Sequence, residues 1–221
     1  MPNGVFVTGT DTGVGKTVVS AALMHRYRGL GEICYWKPIQ TGIEQDDDTA
    51  IVRELGGCKD CEILSEGVRL RRPLSPHLAA RLSGQRIDLD RLMTSFLKVP
   101  ATAVRIVEGA GGALVPINNT ELMTHLIQQL GLPILIVARS GLGTINHTLL
   151  TIEALRNRSL NVAGVVMVGD ENSENRAAIE HYGEAHVIGE LPHLTPLSTL
   201  SLATWSVSRL DSNGSLWELL K

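Results

Sequence analysis

The chain has 221 residues, enough for one α/β domain with a substantial core and short for two. Its 20 Lys and Arg against 23 Asp and Glu leave a formal charge of −3, and no basic cluster marks a nucleic-acid face. No apolar run approaches membrane-spanning length and no export signal precedes the first strand-like run. The three cysteines therefore read as free thiols and the cytoplasm as the location.

Taken in order, an apolar strand at 5–8 feeds residues 9–17, which read G-T-D-T-G-V-G-K-T, and a helix spans 16–27. A strand, a glycine-rich loop ending in Gly-Lys-Thr and a helix form a phosphate cradle, because successive loop N–H groups and the positive helix end face one point. The usual pattern would place glycine at position 10, where this chain has Thr10; five residues separate Gly9 from Gly15. A second strand, 33–36, runs into K-P-I-Q-T-G at 37–42, and helices follow at 47–55, 76–82 and 88–97. Residues 56–72 mix glycine, charge and short apolar runs and give no clear element.

A third strand, 103–107, ends at Glu108-Gly109-Ala110-Gly111-Gly112 and precedes a helix at 120–130. A fourth, 134–138, delivers Arg139 to Gly143 before the helix 144–157; a fifth, 163–168, ends at Gly169-Asp170 before the helix 173–182. A short strand lies near 187–188, and from about 195 a tail rich in Ser, Thr and Leu forms one or two helices. Short apolar strands alternating with amphipathic helices predict an α/β fold, a doubly wound, mostly parallel sheet in one phosphate-loop domain over 1–221. In such sheets ligands collect at the carboxyl ends of the strands, and here every strand ends in polar or glycine-rich sequence.

Several side chains at those ends carry chemistry. Lys16 reaches β- and γ-phosphate oxygens and the Thr17 hydroxyl ligates Mg²⁺. Glu108, an acid at a strand end beside the loop, is placed as a second handle on that metal, against the plainer reading of a turn cap. Lys37 reads equally as a surface lysine or as a group that neutralises a transferring phosphoryl. In Asp46-Asp47-Asp48, Asp47 or Asp48 caps a helix, or one carboxylate enters the Mg²⁺ shell. Cys58 and Cys61 have the spacing of half a zinc site, but no second pair exists to complete one.

The Asn-Lys-x-Asp segment by which GTPases read guanine is absent. Partitioning-type switch ATPases carry a second lysine where this chain has Asp11, and a small-molecule kinase needs no fixed lysine at the second strand. From Val7 to about Leu194 the chain resembles the dethiobiotin synthetases. The resemblance is carried by T-G-T-D-T-G-V-G-K-T at 8–17, K-P-I-Q-T-G at 37–42, D-T-A from Asp48 and S-P-H at 75–77. It continues in V-E-G-A-G-G at 107–112, G-T-I-N-H-T-L-L-T at 143–151 and G-E-L-P at 189–192. The family loop has the same extra residue between its glycines.

The resemblance implies an ATP- and Mg²⁺-dependent cyclo-ligase that builds the ureido ring of dethiobiotin from 7,8-diaminononanoate and CO₂ through a carbamate and its mixed anhydride with phosphate. It implies that Lys16, Lys37 and Thr12 act on the transferring group and that Thr17, Asp48 and Glu108 hold Mg²⁺. Nucleotide then lies against Gly13, Val14, Gly15, Lys16, Thr17 and Val18, and against Glu108, Gly109, Ala110 and Gly111. The base end falls near Gly169, Asp170, Pro192, His193 and Leu194. Substrate meets Lys37, Thr41 and Gly111, and its carboxylate meets Gly143, Thr144 and Asn146 of a second subunit, making the enzyme a homodimer with shared sites. One departure stands out: many relatives have an adenine-reading asparagine where this chain has Gly169.

Overall fold

The computed structural model describes residues 3–220. In chain order the elements are β1 (Gly4–Gly9), α1 (Lys16–Tyr27), β2 (Ile33–Trp36), β3 (Ile39–Thr41), α2 (Asp48–Leu55), β4 (Ile63–Leu64) and β5 (Val68–Leu70). Then come α3 (Pro76–Leu82), α4 (Leu89–Phe96), β6 (Val104–Gly112), α5 (Met123–Leu130), β7 (Ile134–Arg139) and α6 (Thr144–Arg156). The chain continues through β8 (Val162–Val168), α7 (Ser173–Gly183), β9 (Val187–Leu191), α8 (Thr199–Arg209) and α9 (Ser215–Leu220).

Seven strands form one sheet in the order β4-β2-β6-β1-β7-β8-β9, with every neighbouring pair parallel. Parallel strands require crossovers, and the helices that make them cover both faces. The period of two along β1 shows the result: Phe6 enters one core cluster with Trp36, Val107 and Ile136, while Val5 and Val7 enter another with Leu23, Ile106 and Leu135. Strand order reverses around β1, so the phosphate loop opens at a topological switch point, where such sheets bind ligands. This is the doubly wound sheet that the strand–helix alternation predicts.

Three local expectations need correction. The third strand does not stop at Val107: β6 runs through Glu108 to Gly112, and Gly9 pairs with Gly112 beyond a bulge whose extra residues lie in β6. Gly109 permits this, since a Cβ there would lie 2.9 Å from the Phe6 ring. The segment after β2 is not a plain loop, because β3 pairs with β5 in a second, two-stranded parallel sheet that also orders part of residues 56–72. The helix expected from 120 starts at Met123, since the Asn118 carboxamide oxygen accepts from the Thr120 and Glu121 N–H groups and holds a turn there.

After β9 the chain folds back, and Leu202, Trp205 and Leu216 join the core around Leu23 and Tyr27 of α1. Among the described residues no helix is long and apolar enough to cross a membrane.

Candidate active site

The loop between β1 and α1 is tightly wound. Gly13 and Gly15 take positive φ of 72° and 97°, values that favour glycine. A Cβ on Gly9 would meet Asp11 O and Val14 Cγ2 at 2.8 Å and Lys16 Nζ at 3.0 Å, so the shifted glycine is the one over which the lysine folds back. Lys16 Nζ donates to the Asp11 carbonyl at 3.0 Å. No side chain caps the start of α1, which leaves its first N–H groups free to bind an anion.

The ends of β2, β6 and α2 converge beside this loop. The Lys37 ammonium donates to Glu108 Oε1 at 2.7 Å and to the Gly109 carbonyl at 3.1 Å, and pairs with Asp48 Oδ2 at 2.6 Å. Glu108 also accepts from Tyr35 OH at 2.9 Å and from Thr17 Oγ1 at 3.1 Å, while Thr17 Oγ1 lies 2.9 Å from Asp48 Oδ1. Glu108 is 0% exposed and Lys37 3%, which decides the open reading of Lys37: it is no surface lysine. Asp47 is the N-cap of α2, accepting from the Ala50 N–H at 3.1 Å, and that frees Asp48 to face Lys37.

Burial follows two courses here. At Lys16 it lowers the ammonium pKa to about 8, and the neighbouring Lys37 charge adds to the fall. At Lys37 burial also disfavours the charge, but the Glu108 and Asp48 carboxylates outweigh it and raise the pKa. Burial works against the Asp48 carboxylate too, and there Lys37 more than compensates, so its pKa is lowered. The result is an ammonium held charged against two carboxylates, next to a lysine whose charge is held less firmly and would be reinforced by an anion.

A cleft of about 630 Å³ opens over this group. It is lined by Thr12, Gly13, Gly15, Lys16, Thr17, Val18, Lys37, Thr41, Asp48, Glu108, Ala110 and Gly111 among the residues singled out in the sequence. The Val14 side chain is buried in the core, and Gly109 contributes its carbonyl to Lys37. Gly143, Thr144 and Asn146 lie away from the cleft at the start of α6. The Thr144 side chain is buried and its hydroxyl donates to the Arg139 carbonyl. Gly169 sits at the end of β8, beside the loop: a Cβ on Gly15 would lie 3.2 Å from Val168. A Cβ on Gly169 would collide with Ser140 Oγ, so that hydroxyl takes the room of a side chain there, while His193 Nε2 stands at contact distance, 3.7 Å. Asp170 and His193 are exposed and Pro192 and Leu194 half-buried, outside the 630 Å³ cleft.

Sequence reasoning missed Tyr35, Gln45, Ile51, Pro73, Leu74 and Val115, of which Tyr35 bonds Glu108 and the others line the cleft. Ser75 and Pro76, which also line it, lie in a motif quoted above to which no role was attached. A tyrosine in an apolar strand carries no mark that its hydroxyl ends on an acid.

A family model described as an AAA domain matches residues 3–201. The ATP-dependent dethiobiotin synthetase BioD of Paramagnetospirillum magneticum is 48% identical over 200 residues, covering 90% of this chain and 93% of that protein. The chain belongs to the dethiobiotin synthetase family. The enzyme of the same name from Bradyrhizobium diazoefficiens is 44% identical over 88% of the chain. The biotin biosynthesis bifunctional protein BioCD of Bordetella avium is 46% identical over 97% of the chain, which spans 46% of that longer protein. Among solved structures, the MinC:MinD cell division protein complex of Aquifex aeolicus aligns with TM-score 0.59 at 11% identity, covering 98% of this chain and 95% of that one. A ParA family ATPase of Chlorobium tepidum aligns with TM-score 0.57 at 10% identity, over 97% and 98% of the two chains. At these identities the structures show a shared fold.

The cysteines stand apart from the site. Cys34 is buried, Cys58 half-buried and Cys61 exposed, all with free thiols. No group of three or more His, Cys, Asp or Glu residues suited to a metal occurs among the described residues. Burial pushes the Cys34 and Cys58 thiols up to about 11 each. A raised thiol pKa means less thiolate, the reactive form. Iodoacetamide at pH 8 is expected to label Cys61 first, with Cys34 and Cys58 slower by about a hundredfold. Peptide mapping of the alkylated native protein checks this; rapid labelling of Cys58 contradicts it.

Proposed function

We propose that the protein closes the ureido ring of dethiobiotin from 7,8-diaminononanoate and CO₂, using ATP and Mg²⁺, in the cytoplasm where ATP and bicarbonate are at hand. The observation that carries this reading is the Lys37 ammonium, buried between Glu108 and Asp48 and opening on the same cleft as Lys16. One amine of the diamine adds to CO₂ as a carbamate. The carbamate oxygen takes the γ-phosphoryl of ATP, and the second amine attacks the carbonyl carbon, closing the ring as phosphate leaves.

In this scheme Lys37 and Lys16 neutralise charge on the transferring group, and Lys37 also faces the carbamate. Thr12, at the open end of the loop, and Thr41, at the end of β3, orient the phosphoryl group and the diamine. Catalysis of phosphoryl transfer is largely positioning and charge neutralisation, and this cleft supplies both. Thr17, Asp48 and Glu108 suit Mg²⁺, a hard cation that binds through one or two carboxylates and completes its shell with waters and phosphate oxygens. Their fit is visible in the cation already between them: the Lys37 ammonium lies within 2.7 Å of an oxygen of each carboxylate. When bound, Mg²⁺ would offset charge on the phosphate oxygens.

We infer further that the enzyme is a homodimer in which α6 of one subunit receives the substrate carboxylate of the other. The start of α6 has no side-chain cap, which leaves its N–H groups to an anion. Leu142, Leu150 and Leu114 are exposed, and the last two line a recess between α6 and residues 113–116 that a second copy would cover.

The deciding assay combines diaminononanoate, labelled bicarbonate, Mg²⁺ and ATP, with label expected in a cyclic urea. Phosphate release without a labelled ring would favour a switch ATPase or kinase instead. At the base end, Gly169 has no side chain to select adenine, so CTP and GTP are expected to support measurable turnover. A preference for ATP above about a thousandfold, roughly 4 kcal/mol, contradicts that expectation.

A further inference from the structure

We propose that Gln40 is a positioning residue that sets the cleft's affinity for its divalent cation by fixing the start of α2. The inference rests on the assignment of Asp48 and Glu108 to Mg²⁺ made above. Gln40 lies in β3, between Lys37 and Thr41, and is 1% exposed. Its carboxamide turns away from the sheet and donates to the Asp46 carbonyl at 3.0 Å, with the Asp47 carboxylate at 3.5 Å. Those two residues immediately precede Asp48, and Asp47 is itself the cap of α2.

The two carboxylates of the site are held very differently. Glu108 is wholly buried within a strand that pairs on both sides. Asp48 is 26% exposed at a helix start, reached through residues 44–47, which are all exposed. The backbone of that excursion is tied mainly to itself, through Gln45 N and Asp46 N donating to the Gly42 carbonyl. The Asp48 side chain is steadied by Thr17 and Lys37. Those contacts compete with any cation that Asp48 would bind, so they cannot position it for the cation. Gln40 holds the Asp46 carbonyl and, more distantly, the Asp47 carboxylate from within, and leaves the Asp48 oxygens unused.

The orientation of the amide is dictated, because both of its partners are acceptors and only the nitrogen can face them. That leaves Gln40 Oε1 buried with no partner. An orphaned buried acceptor lowers stability, so mere packing would be served better by an apolar side chain of the same size. Outer residues that orient a ligand typically change metal affinity by about 10–100-fold when removed.

The test measures Mn²⁺ binding by electron paramagnetic resonance in the presence of a non-hydrolysable ATP analogue, using wild type, Gln40→Met and Gln40→Glu. Methionine keeps the shape without a donor, and glutamate places a third acceptor against two others. Both are expected to bind Mn²⁺ at least about tenfold more weakly, Gln40→Glu the more so. Affinity for the analogue without metal should be unchanged, and kcat should recover at high Mg²⁺. A general structural defect would instead lower kcat at every Mg²⁺ concentration. If wild type binds Mn²⁺ and both variants match it within about twofold, less than the tenfold minimum, the role of Gln40 is overturned and the metal assignment stands. If wild type shows no nucleotide-dependent Mn²⁺ binding, the metal assignment is overturned and this inference with it.

Discussion

Replacing Lys37 by glutamine is expected to lower turnover by roughly a hundred- to a thousandfold, the usual loss when one preorganised charge-stabilising donor leaves an active site. Glutamine retains hydrogen-bonding reach but no charge, so the substitution isolates neutralisation of the transferring group. The fold pays as well. Lys37 is the cation paired with the wholly buried Glu108, and removing one member of a buried pair typically costs about 3–5 kcal/mol. The Tyr35 and Thr17 hydroxyls remain on Glu108 and soften that loss. A thermal melt should therefore show the variant destabilised without Mg²⁺ and partly restored by it.

The same variant makes a pH prediction of definite sign. At Asp48, burial raises the pKa, and Lys37 is the largest of the influences that turn the net shift downward. With its folded pKa depressed, Asp48 contributes stability that is present above the ordinary carboxylate range and lost as pH falls through the folded value. Without Lys37 the two largest lowering influences are gone and only Thr17 and Lys16 still oppose burial, so the acid side of the stability profile should move to higher pH. Wild-type turnover in Lys37→Gln would remove Lys37 from the chemistry. An unmoved acid limb would remove it from the electrostatics.

The contrast between Lys16 and Lys37 shows what was legible in the sequence. Lys16 sits in a contiguous motif whose local backbone dictates its role, and the flanking strand and helix follow from apolar runs of the proper length. Glu108 was legible because an apolar run stops at it, although the strand itself continues through four glycine-rich residues. The position of Lys37 alone was indecisive. Its character depends on Asp48, 11 residues on, and on Glu108, in β6, four strands beyond β2 along the chain but adjacent to it in the sheet. The short strands β3 and β5 were illegible because each has three residues and is specified by pairing with the other rather than by a run of its own. The resemblance to a family supplied roles ahead of geometry, yet it offered no word on Tyr35 or Gln40, whose contacts exist only after folding.

Substituting Asp211 tests the part of the chain that the family model does not reach. Asp211 is 1% exposed and has φ of 47°, a left-handed conformation that aspartate and asparagine tolerate better than most residues. Its carboxylate accepts from Tyr27 OH at 2.8 Å, Leu216 N at 2.9 Å and Trp217 N at 3.0 Å, and its carbonyl accepts from Arg26 at 2.8 Å. One side chain thus ties the far end of α1 to the first turn of α9, and Trp217 stacks on Tyr27 with ring centroids 5.2 Å apart. Asp211→Ala strands three donors and puts a Cβ without compensating bonds at positive φ. A loss of at least about 3 kcal/mol is expected, since each buried unsatisfied group costs about 1–3. For a chain of this size that lowers the melting temperature by roughly 6–12 °C. Asp211→Gly also loses the bonds but relieves the backbone, so it should be milder than Asp211→Ala by roughly 1 kcal/mol. Asp211→Asn keeps acceptor capacity and should be mildest. Because α1 carries Lys16 and Thr17 at its other end, the three variants also ask whether the tail acts on the site. With these contacts 11 residues from Lys16 along a rigid helix, KM for ATP is expected to stay at the wild-type value while the protein remains folded. A raised KM in Asp211→Asn would instead make the C-terminal clasp part of the nucleotide site's alignment.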